Sequence, residues 1–521
     1  MRKTCWILFF AAYYAAGAAH AQTFTNVRIS DPSLRDPEEV TIAINPKNPN
    51  QLAAGSNLNY FYSSSDAGLT WSWTRLTSQY GFWGDPNLMF DDSGILYYEH
   101  LSGFYGQPEF LWRIVVQRSL DAGMSFDSGE QIGLDTPTQQ DKGWLGLDRS
   151  QTASNGTIMT SWNEDDLYGS YSPKDSSRIF FSKTTDRGET WSQRVRVDHW
   201  GGDCVDSSNT VEGAVTTTGP DGTIYIVWSG HDSIYFNRST DGGKTFGQEQ
   251  AIADQPRGWC FEGTMAIPGI FRGNGFPMIV SDLNPKSQFY GRLYVMWSDQ
   301  RRGVTDVYSM YSPDGGNTWS NMLRVNNDSA MNHHFFPSMT IDPVTGHLFL
   351  AFYDRRHYLD SETDVYLARS TDGGQSFDNM RISQSAFGPD SIVFFGDYIH
   401  IAAYNRKVFP IWMRMDDSAL SVWTAIVQDT GTLAEAPSNN VSIEATGSME
   451  LPGIDFSIAD YGHVNIDMFD VLGRRVSTLL EGTYGAGEYR IPIPQFVPNG
   501  AYFIQMTSLA GMNAAKINIA R

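Results

Sequence analysis

Apolar and polar residues alternate along residues 22–428 in a unit that repeats seven times. Each unit opens with an alternating strand, crosses a Gly or Asn turn, and continues into a second, more apolar strand that often ends in Trp or Tyr. A third strand and a short fourth complete it. First strands are predicted near 40–45, 86–90, 144–148, 213–218, 276–281, 337–341 and 398–403. A repeat of this length made of four short strands predicts an all-β, radially repeated architecture.

The turn before the fourth strand carries the strongest local pattern, S/T-x-D-x-G-x-T/S-W/F. It occurs as SSDAGLTW at 64–71, SLDAGMSF at 119–126, TTDRGETW at 184–191, STDGGKTF at 239–246, SPDGGNTW at 312–319 and STDGGQSF at 370–377. An Asp carboxylate accepts hydrogen bonds from backbone N–H groups just beyond it. The Gly supplies a positive φ, and the closing aromatic offers a large apolar surface for burial.

These six turns resemble the Asp box, or bacterial neuraminidase repeat, of the sialidase superfamily. The resemblance implies a β-propeller in which Asp66, Asp121, Asp186, Asp241, Asp314 and Asp372 are structural and do no chemistry. Seven strand starts favour seven blades, and six boxes leave six as the alternative. The last unit lacks a box and has Asp416-Asp417-Ser418 in its place. It also lacks a fourth strand. Asn26-Val27-Arg28-Ile29-Ser30 echoes Asn379-Met380-Arg381-Ile382-Ser383, so the N-terminal segment is expected to supply that strand and close the ring.

Composition adds the setting. The chain of 521 residues is 13% aromatic, 18% charged and rich in Gly, which suits a large, turn-rich β protein. Arg2 and Lys3, the apolar run 5–18 and Ala19-His20-Ala21 read as a signal peptide over 1–21. Its removal takes two positive charges from a net −21, leaving −23. An acidic, exported chain is a poor partner for nucleic acid, and no later run is apolar enough to span a membrane. Export makes a bridge between Cys204 and Cys260 an expectation.

Residues 429–440 form a polar linker, followed by a small β-sandwich over 441–521. Asp470-Val471-Leu472-Gly473-Arg474, Gly485-Ala486-Gly487-Glu488-Tyr489 and Pro498-Asn499-Gly500-Ala501-Tyr502-Phe503 resemble the C-terminal sorting domain of type IX secretion. The resemblance implies that secretion machinery as a partner and a secreted or cell-surface location, although the usual opening Pro-Asn-Pro stretch is missing.

In a propeller the first strand of each blade lines the central channel, so chemistry is expected at those strand starts. They bring Arg35 with Asp36, Asp85, Asp141 with Lys142, Glu212, Arg272, His333 with His334, and Asp397 with Tyr398. Asp85, Asp141, Lys142 and His334 are read as substrate-binding. The sialidase resemblance implies a Tyr nucleophile activated by Glu, with arginines clamping a carboxylate-bearing sugar. Tyr398 and Glu212 are the matching catalytic pair, and Arg35 and Arg272 the clamp. Only two arginines stand at strand starts where the family has three, and Arg35-Asp36-Pro37 departs from the family's Arg-Ile-Pro. Three readings therefore stand open: a glycoside hydrolase of exo-α-sialidase type, a non-catalytic module binding an extracellular glycan or glycoprotein, and a scaffold without a ligand. No residue pattern calls for a cofactor or a metal. Asn163-Glu164-Asp165-Asp166 lacks the spacing of a calcium loop, and adjacent His333 and His334 point to opposite faces of a strand.

Overall fold

The computed structural model describes residues 24–103, 110–133, 138–263 and 266–430. In the C-terminal part it describes 443–446, 453–458, 462–484, 487–494, 496–508 and 511–519. The expected leader and most of the expected linker lie outside the described residues. Two compact units result, one within Phe24–Leu433 and one within Ala434–Arg521.

The larger unit is a seven-bladed β-propeller. Seven antiparallel four-stranded sheets follow one another along the chain, and in the first six the strand order is the sequence order. Their inner strands are Thr41–Ile44, Gly84–Phe90, Gln139–Leu147, Glu212–Thr218, Met278–Ser281 and His334–Ile341, with His400–Tyr404 in the seventh. Second strands are buried from end to end, as in Ile158–Asp165, Ile224–Gly230 and Leu293–Asp299. Their Trp162, Trp228 and Trp297 fill the space between neighbouring sheets.

The seventh blade explains its own missing turn. Its third strand, Ala419–Gln428, pairs with the N-terminal strand Thr25–Arg28, with Val27 opposite Thr424 and Arg28 opposite Trp423. Ile29 N–H continues the pairing to the Val422 carbonyl at 2.8 Å. No chain runs from third to fourth strand there, so no box turn can exist. Asp416-Asp417-Ser418 is not a degenerate box. Asp417 and Ser418, both with positive φ, make the tight hairpin between the second and third strands.

The six repeated turns share one hydrogen-bond pattern. The opening Ser or Thr donates to the Asp carboxylate at 2.6–2.9 Å and accepts from the Gly N–H at 2.7–3.0 Å. The later Thr or Ser donates to the second carboxylate oxygen at 2.5–2.7 Å. The closing aromatic reaches the preceding blade. Phe246 meets Phe181 edge-on at 5.4 Å, and Trp319 meets Phe236 at 5.3 Å. At Gly243 and Gly316 a Cβ would come within 2.4 Å of those same Phe rings, and φ is near +80°. Each turn therefore staples one blade to the last.

Asp372→Ala should strip four acceptor contacts, from Ser370 Oγ, Gln375 N, Ser376 N and Ser376 Oγ. The expected loss is about 1–3 kcal/mol in a denaturant titration, with any ligand affinity of the folded protein unchanged. Weakened binding at full stability would instead mark the turn as part of the site.

The C-terminal unit is a small two-sheet sandwich. Ile443–Thr446, Gly453–Ile458 and Gly487–Pro492 form one sheet. Gly462–Asp470 and Gly500–Ser508 are the centre of the other, flanked by Arg475–Tyr484 and Gly511–Ile519. Ile454, Phe456, Val464, Ile466, Ile504 and Met506 share its core.

Candidate functional site

The inner strands enter the axis through a repeated irregularity. Pairing with the second strand breaks between Gly84 and Asn87, Asp141 and Trp144, Glu212 and Val215, and Phe335 and Ser338. Within each break sits a left-handed residue: Asp85 (φ 51°), Lys142 (φ 51°), Gly213 (φ 73°) and Phe336 (φ 48°). Glu39 (φ 55°) and Gly396 (φ 75°) hold that conformation just before the inner strands of the first and seventh blades. Such bulges bend a strand and re-aim its side chains. Here they bring acidic residues from successive blades to one end of the axis.

The result is a cavity of about 330 Å³ lined by Glu38, Glu39, Asp85, Asp141, Lys142, Tyr168, Asp206, Glu212, Arg272 and Asp397, with Asn57, Leu58, Trp83, Leu101, Leu111 and Phe394 between them. Seven carboxyl groups face two cations, and both cations are committed. Arg272 grips Asp397 with two nitrogens, one at 3.1 Å, and reaches Asp206 at 3.2 Å. Lys142 Nζ lies 4.0 Å from Asp85 and 3.8 Å from the centroid of the Tyr398 ring, a cation–π contact. Tyr168 donates to Asp206 at 2.5 Å. Asn57 donates to Glu39 and accepts from Asp85 N–H at 2.9 Å.

Burial divides the carboxyls into two kinds. It holds Glu212 well above the usual carboxylate range, with Asp206 and Asp141 adding to the effect against Lys142 and Arg272. Burial likewise raises Asp141 and Glu39 far above that range and pushes Glu38 to about 8. Asp397 goes the other way: burial opposes its charge, but Arg272 and Lys142 prevail and keep it ionised. Burial also disfavours the Lys142 ammonium, yet Asp85, Asp397, Glu39 and Glu212 together hold it above its ordinary value. Among the described residues, three buried atoms at the site have no hydrogen-bond partner: Glu38 Oε2, Glu212 Oε2 and Lys142 Nζ.

Beneath this cavity lies an apolar pocket of about 40 Å³ lined by Trp144, Phe276, Phe336 and Tyr398. It shares Lys142 and Asp397 with the acidic cavity. It shares Trp144, Val215 and Met278 with a third cavity, of about 240 Å³, further along the axis.

Asp85, Asp141, Lys142, Glu212 and Arg272 are thus brought together as the sequence suggests. Three other residues are not. Arg35 is exposed and lines no part of the cavity, its carbonyl accepting from the Tyr60 hydroxyl. His334 is fully buried among Asp306, Asp328 and Asp354, between the fifth and sixth blades. Tyr398 belongs to the apolar floor. Its hydroxyl donates to the Pro86 carbonyl at 3.3 Å, not to Glu212, so the expected nucleophile–base pair does not form. Burial, with Asp85 and Glu39 nearby, also keeps that phenol protonated. The expected clamp of Arg35 and Arg272 does not form either, because among the described residues Arg272 alone of the arginines lines the cavity. Arg301 and Arg356 each pair with the Asp two residues earlier and stack on Tyr308 and Tyr366, a structural role.

Cys204 and Cys260 are both free. The Cys204 thiol faces Asp165 while its backbone pairs with Ser170, and Cys260 lies in a short ribbon opposite Asn274. Burial pushes both thiols to about 12, so they are poor nucleophiles as well as unbridged. Glu38, Glu39, Asp206 and Tyr168 are polar site residues that strand reasoning misses. Asp206 and Tyr168 sit on loops between strands, and Glu39 precedes its strand in a left-handed turn.

The fold and site define a β-propeller with an acidic axial cavity. No family model matches the chain, and no curated protein matches its sequence. Among solved structures it is similar to the GH93 α-L-arabinofuranosidase of Fusarium graminearum in complex with arabinobiose, at 13% identity and a TM-score of 0.45. That match covers 79% of this chain and 99% of the other. YCF48 bound to D1 peptide matches at 13% identity and a TM-score of 0.43, over 80% and 100% of the two chains. The NanB sialidase from Streptococcus pneumoniae matches at 11% and 0.38, over 79% and 71%. These likenesses concern the propeller fold and carry no activity to this chain. Among the described residues no helix is long and apolar enough to cross a membrane.

Proposed function

We propose that the acidic cavity binds the end of an extracellular glycan and hydrolyses its glycosidic bond by carboxyl acid–base chemistry. The observation that carries this reading is Glu212. It is 7% exposed and held protonated, and its Oε2 is unpartnered at a cavity large enough for a sugar. A proton-bearing carboxyl beside ionised ones is the division of labour that glycoside cleavage needs. Glu212 gives its proton to the leaving glycosidic oxygen as the C–O bond breaks. Asp85, poised by Lys142 at 4.0 Å, takes a proton from the water that attacks the anomeric carbon. Asp206 and Asp397 are held by Arg272 and keep the wall in shape. Tyr168, which burial and the nearby Asp141 and Asp206 keep protonated, serves as a donor and not as a nucleophile.

A sialidase-type clamp on an acidic sugar finds no support in this geometry, since neither cation is free to meet a carboxylate. Export through the N-terminal leader and the C-terminal sorting-like unit belongs to the same proposal, because it brings the cavity to an extracellular substrate. The test is reducing-sugar release from a panel of neutral, amine-bearing and acidic oligosaccharides by the wild-type protein. Binding measured by calorimetry without release from any of them would favour the non-catalytic glycan-binding module.

A further inference from the structure

The charge inventory of the cavity goes one step beyond that reading and rests on its glycan-binding half. Glu38, Glu39, Asp85, Asp141, Asp206, Glu212 and Asp397 are drawn from five blades and one loop, and among the described residues only Lys142 and Arg272 answer them. Arg272 is spent on Asp397 and Asp206, and Lys142 on Asp85 and the Tyr398 ring. Among the described residues, no cationic side chain pairs with Asp141 or Glu212 on the wall formed by the third and fourth blades. Asp141 is hydrogen bonded by the Lys142 backbone N–H at 2.8 Å, and that group is already part of the bulge. Glu212 Oε2 is buried at the cavity with nothing to accept from.

We infer that the sugar bound in this cavity carries a free amino group, whose ammonium is received between Glu212 and Asp141. An ammonium brings three donors and one positive charge to a wall whose one cation, Lys142, is turned to Asp85 and the Tyr398 ring. In the free protein burial keeps Glu212 and Asp141 protonated; an ammonium takes the place of the Asp141 proton, which leaves to solvent, and donates to the orphan oxygen of Glu212, whereas a neutral hydroxyl displaces no proton. A carboxylate would meet the ionised Asp397 and find no free cation to answer it, since Arg272 and Lys142 are already paired. No rearrangement of the existing ion pairs is needed, because Lys142 and Arg272 keep their present partners.

Isothermal titration of the full chain against three probes tests this: a short β-1,4-linked glucosamine oligosaccharide, its fully N-acetylated counterpart, and an oligosaccharide ending in glucuronate. The amine-bearing probe should bind at least about tenfold more tightly than the acetylated one, and the glucuronate probe should bind weakest. Asp141→Asn keeps the acceptor for Lys142 N–H but cannot ionise, so it should reduce the amine-to-acetyl affinity ratio several-fold. Circular dichroism and a thermal melt of this variant beside the wild type exclude a folding defect. Equal affinity for the amine and acetylated probes, or a preference for the acidic one, overturns the inference and leaves glycan binding standing. Binding of none of the three overturns both. An amine preference without any bond cleavage upholds the inference and removes only the hydrolytic half of the proposed function.

Discussion

Glu212→Gln is expected to lower turnover of whichever glycoside the wild-type protein cleaves by about 10²–10⁴-fold, the usual worth of a positioned general acid. KM should move much less, because Gln keeps the shape and an acceptor oxygen. The fold should not suffer. Glu212 is buried and held protonated, so a neutral amide replaces a neutral acid. The sign of the pH effect follows from the raised carboxyl. Its contribution to stability is complete below the ordinary value of 4.5 and is lost as pH climbs toward the raised one. Wild-type protein should therefore lose stability relative to the Gln variant as pH rises above about 5, and its activity should fall on the same alkaline side as Glu212 yields its proton. Thermal melts of both proteins across pH 5–9, beside a kcat profile of the wild type, check this. A Gln variant with wild-type turnover would remove Glu212 from the acid's role.

Most of the propeller is legible in the sequence because its determinants are local and repeated. An Asp, a Gly and an aromatic at fixed offsets describe a turn that needs no partner to be recognised. The echo of 379–383 in 26–30 marks two segments that do the same job in neighbouring blades: Asn26 even bonds the Ile382 carbonyl at 2.8 Å. What the motif conceals is where the closing aromatic goes, since contact with the preceding blade is a tertiary fact.

The site is legible in part, for a geometrical reason. Strand starts point to the axis, which finds Asp85, Asp141, Lys142, Glu212 and Arg272. The bulges decide which residue of each adjacent pair turns inward, and one residue's difference sends a side chain to the opposite face. At 397–398 the inward place goes to Asp397 and Tyr398 drops to the floor. His334 lies just before the bulge of the sixth inner strand and turns between blades, where it meets Asp354 across the ladder. Asp206 and Tyr168 come from irregular loops, which no periodicity announces.

The misplaced histidine has a consequence of its own. The propeller should lose about 3 kcal/mol of stability between neutral pH and pH 10 through His334 alone. Burial disfavours the imidazolium, but Asp354, Asp306 and Asp328 outweigh it and lift the group from 6.5 to about 9. Its Nε2 lies 3.0 Å from Asp328 and 3.5 Å from Asp354, and its Nδ1 lies 3.6 Å from Asp306. Arg302, Arg324 and Arg356 complete the cluster, which ties the fifth blade to the sixth. A raised histidine stabilises fully below 6.5, and that stability drains away as pH rises through about 9. Three aspartates then share a dry site with one cation fewer. His334→Gln retains hydrogen-bonding capacity and loses the charge, so it should fall about 3–5 kcal/mol below wild type at pH 7, as expected for one partner removed from a buried ion cluster. Its deficit should shrink as pH rises toward 10, because the wild type loses the same charge. Other alkaline titrations, such as those of Glu38 and Glu99, occur in both proteins and cancel in the difference. Apart from Trp6, the tryptophans all lie between residues 71 and 423, so their fluorescence follows the propeller without the C-terminal unit. A constant gap between the two proteins from pH 7 to pH 10 would show that His334 is neutral in the folded chain and that the three aspartates are balanced by the arginines.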